Sequence, residues 1–513
     1  MHSWLFRVRR WPRRVHALIP LLAVSLMVVL WGGERLRAQS VTLPVENSWI
    51  RIQNVGTKPA TIQIDFFEDD GMLVATDGCP QHEGCVALRP GLGWSFFQQS
   101  LDQLEHGYQG SAFVTADQPF VAMFARDSFL ADGEFQIGGD SLRLSAAGGD
   151  LYLPLIENTA GFVSRIALEN GSESMAACIQ LEYYEAGALS PVAVDPAVPD
   201  AGCSAGGAWL GPRSTLIRDE QSLPVPFGFD GTAVVRTYPT DDGVTAKSQP
   251  IAALVDTRAR DGAGLATHRG IGTDELSNVV LLPLVDRDAS EGQSTWSTRF
   301  RILSGTPSLP NEVTLLFDGE NASGDRIEIE HTVTIFGALT CDQRFSGASG
   351  CLPPGEALPS PFFGTVRMEA VRPVAVVAQR VSSDGALADY RGFTAEEASR
   401  QVVLPVVNKN FGPWGDLQGW NSWFRVLSFD GSTAHVTVIY YSKQFPNGLF
   451  PTSGTARVPG QRTFRQWEVF NLPDGWVGSA VIVADRPVVV VANLESDVFE
   501  GDPVMLYNGV SLE

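Results

Sequence analysis

Histidine is scarce in this chain, with seven in 513 residues. Past the first forty residues only His82, His106, His268, His331 and His435 remain, scattered along the length, and neither His-Glu-x-x-His nor Gly-x-Ser-x-Gly occurs. That excludes the common signatures of zinc hydrolases and α/β-hydrolases. Long apolar runs are missing too. The one candidate, residues 17–31, falls short of the roughly 20 residues a bilayer span needs. Positive charge is the third deficit, 37 Lys and Arg against 58 Asp and Glu. A surface of that sign repels nucleic acid and anionic lipid, so neither is expected as a partner.

The few basic residues crowd one end. Arg7, Arg9, Arg10, Arg13 and Arg14 precede the apolar run, and Leu36-Arg37-Ala38 follows it. This is the layout of a secretory signal over residues 1–38, cleaved after Ala38. A retained signal anchor is the alternative. Seven of the 37 basic and one of the 58 acidic residues lie in that segment, so cleavage leaves a formal charge of −27. The expected location is extracellular, secreted or loosely held at the cell surface. With 44% apolar residues the chain can fill cores, and 51 Gly with 32 Pro point to many turns and few long helices.

One pattern recurs four times. It opens with Leu43-Pro44-Val45, Leu153-Pro154-Leu155, Leu282-Pro283-Leu284 and Leu404-Pro405-Val406, the prolines being 110, 129 and 122 residues apart. A second strand follows: Ser48-Trp49-Ile50-Arg51-Ile52, Ser164-Arg165-Ile166-Ala167-Leu168, Thr298-Arg299-Phe300-Arg301-Ile302 and Ser422-Trp423-Phe424-Arg425-Val426. A third alternates strictly, as Ile62/Ile64/Phe66, Ile179/Leu181/Tyr183, Val313/Leu315/Phe317 and Val436/Val438/Tyr440. Period two means one buried face and one solvated. A Gly-led strand (Gly110, Gly231, Gly364, Gly478) then turns into a Pro-led apolar one (Pro119, Pro250, Pro373, Pro487). Val488 to Val491 in the last copy suits a doubly covered position. Three units close on His268-Arg269-Gly270, Tyr390-Arg391-Gly392 and Tyr507-Asn508-Gly509, and the first lacks this ending.

About seven strands per unit predict an all-β chain of four tandem immunoglobulin-like β-sandwich domains, at 41–150, 151–275, 276–400 and 401–513. A β-propeller repeats at about 40–50 residues per blade, which does not fit. The acidic stretches 272–278 and 394–400 read as linkers, so a string of domains is expected. The six cysteines fall two to a unit in the first three, favouring local bridges Cys79–Cys85, Cys178–Cys203 and Cys341–Cys351 in an oxidising environment. No Cys-x-x-Cys or paired histidine suggests a metal, and no cofactor is expected.

Gly139-Asp140-Ser141-Leu142 spells an esterase motif, but no histidine follows an Asp by three residues to complete such a site. Asp65 to Gly71 and Asp318 to Asn321 resemble calcium loops without the ligand spacing of an EF-hand, and read as solvated turns. Trp414, Trp420, Trp423, Trp467 and Trp476 crowd the fourth unit. Trp420 and Trp423 sit at repeat positions and read as packing. Trp414 lies in the insertion 411–417 and is the best candidate for an exposed binding contact.

The units resemble repeats of secreted and cell-surface bacterial proteins of the Chloroflexi type, best in the fourth through Leu404-Pro405-Val406-Val407, Trp420-Asn421-Ser422, Tyr440-Tyr441, Gly478-Ser479-Ala480-Val481, Asp485-Arg486-Pro487 and Tyr507-Asn508-Gly509. The resemblance implies architecture and carries no biochemical role. The expected function is a non-enzymatic extracellular structural or adhesive surface protein, with a cell-envelope glycan or another surface protein as partner. The alternative is a secreted glycan-binding protein using exposed Trp of the fourth repeat.

Overall fold

The computed structural model describes residues 45–130, 133–142, 149–241, 249–291, 294–345, 350–412, 419–450 and 456–512. Strand accounts for 61% of the structure, and the only helical elements among the described residues are three single 3-10 turns. Strand content that far above the 20–25% of an ordinary domain leaves only the all-β class. The third strands, Ile62–Glu68, Ala177–Glu185, Pro310–Asn321 and Thr433–Tyr441, alternate as their sequence requires. Ile62, Ile64 and Phe66 and their equivalents are buried in apolar clusters between sheets, the packing of β-sandwich repeats.

The Gly and Pro marks have separate causes. A Cβ on Gly478 would lie 2.2 Å from the Tyr441 carbonyl oxygen and 2.3 Å from the Trp476 ring; Gly110 and Gly231 face the same collision with Phe67 and Tyr184. Only glycine lets the two backbones meet there. No turn follows it in two of the repeats. Phe362–Ser382 and Trp476–Ser496 each run unbroken through the proline, pairing first with the opening strand and then with the second. Pro373 and Pro487 sit where the strand changes partner, so the missing N–H costs no ladder bond. In the first two repeats the strand is broken, as Gly110–Ala116 with Phe120–Phe129 and Phe229–Tyr238 with Ile251–Ala259.

The first repeat departs from the expected order. Opening strands exist as Leu151–Asn158, Ser277–Arg287 and Ser399–Lys409. Val45, however, is already the first residue of the second strand, Val45–Asn54, which pairs with Phe120–Phe129 and Gly93–Phe97. Leu43 and Pro44 lie outside the described residues, as does the signal segment.

The repeats form a closed ring and not a string. Each contributes one strand to the centre: Phe135–Leu142, Leu265–Arg269, Leu387–Arg391 and Val504–Asn508 pack side by side in the order 1-2-3-4-1. By its register on Phe120–Phe129, Phe135–Leu142 occupies the place of the closing signature that the first repeat lacks. Pro-led strands supply the seams. Val488, Val490 and Ala492 fill the core of the fourth repeat, while Val489 and Val491 point into that of the third. Ala375 and Val377 likewise pack on Tyr152, Leu155 and Val234 of the second repeat, and Met123 and Ala125 on the fourth. This is why the Val run is apolar on both faces. Residues 44–513 accordingly form one compact unit. Three local disulfides, Cys79–Cys85, Cys178–Cys203 and Cys341–Cys351, lie in three different repeats.

Candidate functional site

The convergence of the four closing strands is where chemistry-bearing side chains gather, and they are buried. At one level Asp140 Oδ2 accepts the Arg269 amide N–H at 3.1 Å and Arg391 Nε at 3.3 Å, joining three repeats through one carboxylate. Arg391 N–H donates to Asn508 Oδ1 (3.0 Å), whose Nδ2 donates back to the Arg391 carbonyl (2.9 Å). His268 Nδ1 lies 3.0 Å from Asp389 Oδ2, and both side chains are fully buried. At a second level Asp502 Oδ2 accepts the amides of Leu265 and Leu387, each at 2.9 Å. Its strand, Gly501–Asp502, also pairs in parallel with Phe135 and Gln136 of the first repeat. Burial holds the Asp502 carboxyl well above the usual range despite those amide donors.

The esterase-like motif lies within this cluster. Ser141 is buried in a strand, and its Oγ donates to Asp140 Oδ1 at 3.4 Å. His268 is engaged by Asp389. Among the described residues no nucleophile–base pair is formed and no open face adjoins these groups, so Asp140 works as a joint between repeats. The tyrosine that His268 replaces bonds elsewhere. Tyr390 and Tyr507 donate their hydroxyls to the carbonyls of Leu284 and Val406, next to the opening-strand prolines.

Arginine latches the seams. Register shifts at Leu282/Val285 and Leu404/Val407 free the carbonyls of Pro283 and Pro405. Arg425 of the fourth repeat donates to Pro283 at 3.4 Å, and Arg51 of the first to Pro405 at 2.6 Å. Arg301 of the third reaches the Gly231 carbonyl and Asp230 of the second. Ala167 holds this position in the second repeat, so the fourth seam has no such latch. Beside Arg301, Arg299 makes a two-pronged, buried pair with Glu157 at 2.8 and 2.6 Å.

The two acidic stretches are not free linkers. Glu275 accepts both Nη groups of Arg269, at 2.7 and 2.5 Å, as well as the Gly272 amide. Glu397 does the same work for Arg391 and the Thr394 amide. Burial alone would raise the Glu275 pKa, but the hydrogen bonds and charge of Arg269 outweigh it and hold it at about 2.

Two other carboxylates go the opposite way. Burial, then repulsion from Glu291, pushes Glu495 up to about 7 against hydrogen bonds from Trp423 and Asn493. Burial likewise raises Glu169 to about 7 against Ser111 and Arg213. A raised carboxylate binds its proton more tightly folded than unfolded, so its stabilising contribution is complete below about pH 4.5 and is lost as pH rises to about 7. Glu275 acts with the reverse sign, losing its contribution as pH falls from about 4.5 towards 2. Stability should therefore peak near pH 5. Each raised group costs up to about 3 kcal/mol by pH 8, less what solvent access screens. Urea midpoints at pH 5 and pH 8 test this, and Glu495→Gln should narrow the difference. A midpoint that climbs steadily to pH 8 would contradict it.

The calcium-like loops satisfy themselves. Asp65 accepts Gln63 and Thr76, Asp318 pairs with Arg326, and Asn321 Oδ1 takes two local amides. Among the described residues no group of three His, Cys, Asp or Glu is placed to hold a metal. His82 and His435 each meet one aspartate, Asp77 and Asp485.

Of the fourth-repeat tryptophans, Trp423 and Trp476 are buried, with Nε1 donating to Glu495 and to Ser442, and Trp420 packs on Phe135 and Phe499. Trp414 lies outside the described residues. The exposed aromatics of this repeat include Phe470 at 95%, Phe450 at 56% and Trp467 at 37% exposure. Lys409 Nζ holds the carbonyls of Val469 and Leu472, and Asn471 Nδ2 donates to the Phe450 carbonyl, so these rings share one rim. Tryptophan alone stood out in the sequence of this repeat; Phe450 and Phe470 occupy loop positions without period-two alternation, which was the available signal.

No family model matches this chain, and no curated protein matches it. Among solved structures it aligns with a tetra-tandem repeat in the extending region of a large adhesion protein, at 12% identity and a TM-score of 0.10 over 90% of this chain and 93% of that one. It also aligns with infectious bursal disease virus, Gt strain, at 8% identity and a TM-score of 0.11 over 92% and 85%. Scores this low carry no argument about function. No helix among the described residues is long and apolar enough to cross a membrane.

Proposed function

We propose that the chain is a non-enzymatic extracellular structural or adhesive protein, exported by residues 1–38, whose four sandwich domains close into a rigid block that displays loops. One observation carries the reading. The chemistry-bearing side chains at the centre of the ring, Asp140, His268, Asp389 and Asp502, are consumed as buried joints between repeats, and Ser141 is buried against Asp140. Three disulfides fit an oxidising location. The partner is a cell-envelope glycan or another surface protein, met by the rim of Phe450, Trp467 and Phe470; an almost fully exposed Phe470 favours contact with an apolar face, such as that of a sugar ring.

A panel of envelope polysaccharides and cell-wall fractions, read by Trp fluorescence, tests this. Saturable binding is expected, weakened about tenfold or more by Phe470→Ala with the melting temperature unchanged. Binding that survives Phe470→Ala and Trp467→Ala would remove the rim from the account. Turnover of any panel member would overturn the non-enzymatic reading.

A further inference from the structure

The strands flanking the third strand differ in length from repeat to repeat. The first repeat has Leu73–Cys79, with a register shift at Phe66/Phe67. The second has three-residue Ala193–Asp195 and Ala208–Leu210, and the fourth has four-residue Ala456–Pro459. Short strands, bulges and prolines are ordinary means of keeping a sheet edge from pairing with another chain. The third repeat uses none of them. Arg326–Phe336 runs eleven residues against Pro310–Asn321 without a register shift, and its sequence holds neither Pro nor Lys. All eleven residues are described, and among the described residues no strand pairs with it on the far side.

The Asn321 amide donates to the Asp325 carbonyl at 3.1 Å, which sets the phase of this ladder. Odd-numbered residues of Arg326–Phe336 therefore bond to the third strand. The even-numbered ones, Arg326, Glu328, Glu330, Thr332, Thr334 and Phe336, turn their N–H and C=O groups to the outer edge. The inner face is incomplete in the same place. Ile327, Ile329 and Val333 pack on the core yet stay only partly buried, whereas Val313, Leu315 and Phe317, one strand further in, are fully buried. A further strand would complete both ladder and core. With the export segment removed as proposed, six residues precede Val45 and extend about 20 Å at most. They lead into the first repeat, which lies across the ring from the third.

We infer that this edge joins a second copy of the chain, the two Arg326–Phe336 strands pairing antiparallel about a two-fold axis at His331. Side-chain chemistry selects both partner and register. Centred on His331, all eleven residues of each copy pair. Glu328 then faces Thr334, Glu330 faces Thr332, and Arg326 faces the exposed Phe336 ring. On the inner face Ile327 meets Ile335 and Ile329 meets Val333, and no two like charges are opposed. Sliding the centre to Glu330 sets that glutamate against itself, and sliding it to Ile329 sets Glu328 against Glu330. Such a contact is isologous and closes at two copies, so the edge is covered without forming fibres. The net charge of −21 opposes association at long range, so the dimer should tighten as salt rises from about 50 to about 500 mM. The inference is independent of the aromatic rim.

Sedimentation velocity of the full secreted protein over a range of concentrations tests this, and a monomer–dimer equilibrium is expected. Thr332→Glu opposes Glu330 twice in the dimer and should weaken it about threefold or more; Thr332→Lys should tighten it by a similar factor. Thr332 is exposed, so both variants should keep the fold. His331→Cys should oxidise in air to a covalent dimer, because residue 331 meets itself in a non-hydrogen-bonded pair with Cα atoms about 4.5 Å apart. Val333→Cys, on the same face but opposite Ile329, should not. Hydrogen exchange on the unaltered protein decides the matter if the cysteine variants misfold: amides of 328, 330, 332 and 334 should slow from dilute to concentrated solution. Three results would overturn the proposal. The first is a monomer at every concentration. The second is a dimer indifferent to charge at 332 and not trapped by His331→Cys, which places the contact elsewhere. The third is protection of those four amides already in the monomer, which means the chain's own residues cover the edge.

Discussion

Arg299→Ala is expected to lower the urea midpoint by the equivalent of about 3–5 kcal/mol, the cost of leaving a buried carboxylate without its partner. Glu157 is buried on the second repeat and receives both prongs of the Arg299 guanidinium from the third. Arg299 Nε also donates to Gln379 Oε1 at 2.8 Å, and its guanidinium lies 4.3 Å from the Phe162 ring centroid. The alanine variant strands Glu157 and empties the volume above Phe162. The paired replacement Arg299→Met with Glu157→Leu should recover most of the loss, because both charges leave together and apolar contact replaces them. Equal loss in the single and double variants would show that the pair contributes packing alone.

Phe135→Ala is expected to cost about 3–5 kcal/mol as well, by a different route. Phe135 is buried in the central strand of the first repeat, stacked on Phe499 at 4.6 Å and edge-on to Phe129 at 5.0 Å and Trp420 at 5.8 Å. Its amide donates to the Glu500 carbonyl at 2.8 Å. The cavity therefore opens at the contact that closes the ring between first and fourth repeats. Fluorescence of Trp420 should shift to the red, and amides of 135–142 should exchange faster. Phe317→Ala, a cavity of similar size inside the third repeat, should destabilise without either change.

Strand positions were legible from period two, since Ile62/Ile64/Phe66 and its three counterparts have few other ways to bury one face. The seams were not, for a physical reason. Arg51 stood in a repeated motif, yet the carbonyl it meets belongs to Pro405, 354 residues away, and no local pattern encodes a partner at that distance. The acidic stretches at 272–278 and 394–400 read as solvated because Asp and Glu are usually exposed. Glu275 and Glu397 are instead caught by the arginine of the closing signature just ahead of them. Asp140 stands where tyrosine ends other repeats, so the first closing strand carried no recognisable signature. The aromatic rim was half legible: crowding of tryptophan pointed to the fourth repeat, but Trp423 and Trp476 were needed inside it.

Small-angle X-ray scattering of the secreted chain tests the closed ring most directly. A compact chain of this length has a radius of gyration of about 23 Å, and four sandwiches in a row would give roughly twice that. The closed ring predicts a value near the lower figure and a symmetric distance distribution. A value near the higher one, with a long tail of distances, would contradict it and return the chain to a string of domains.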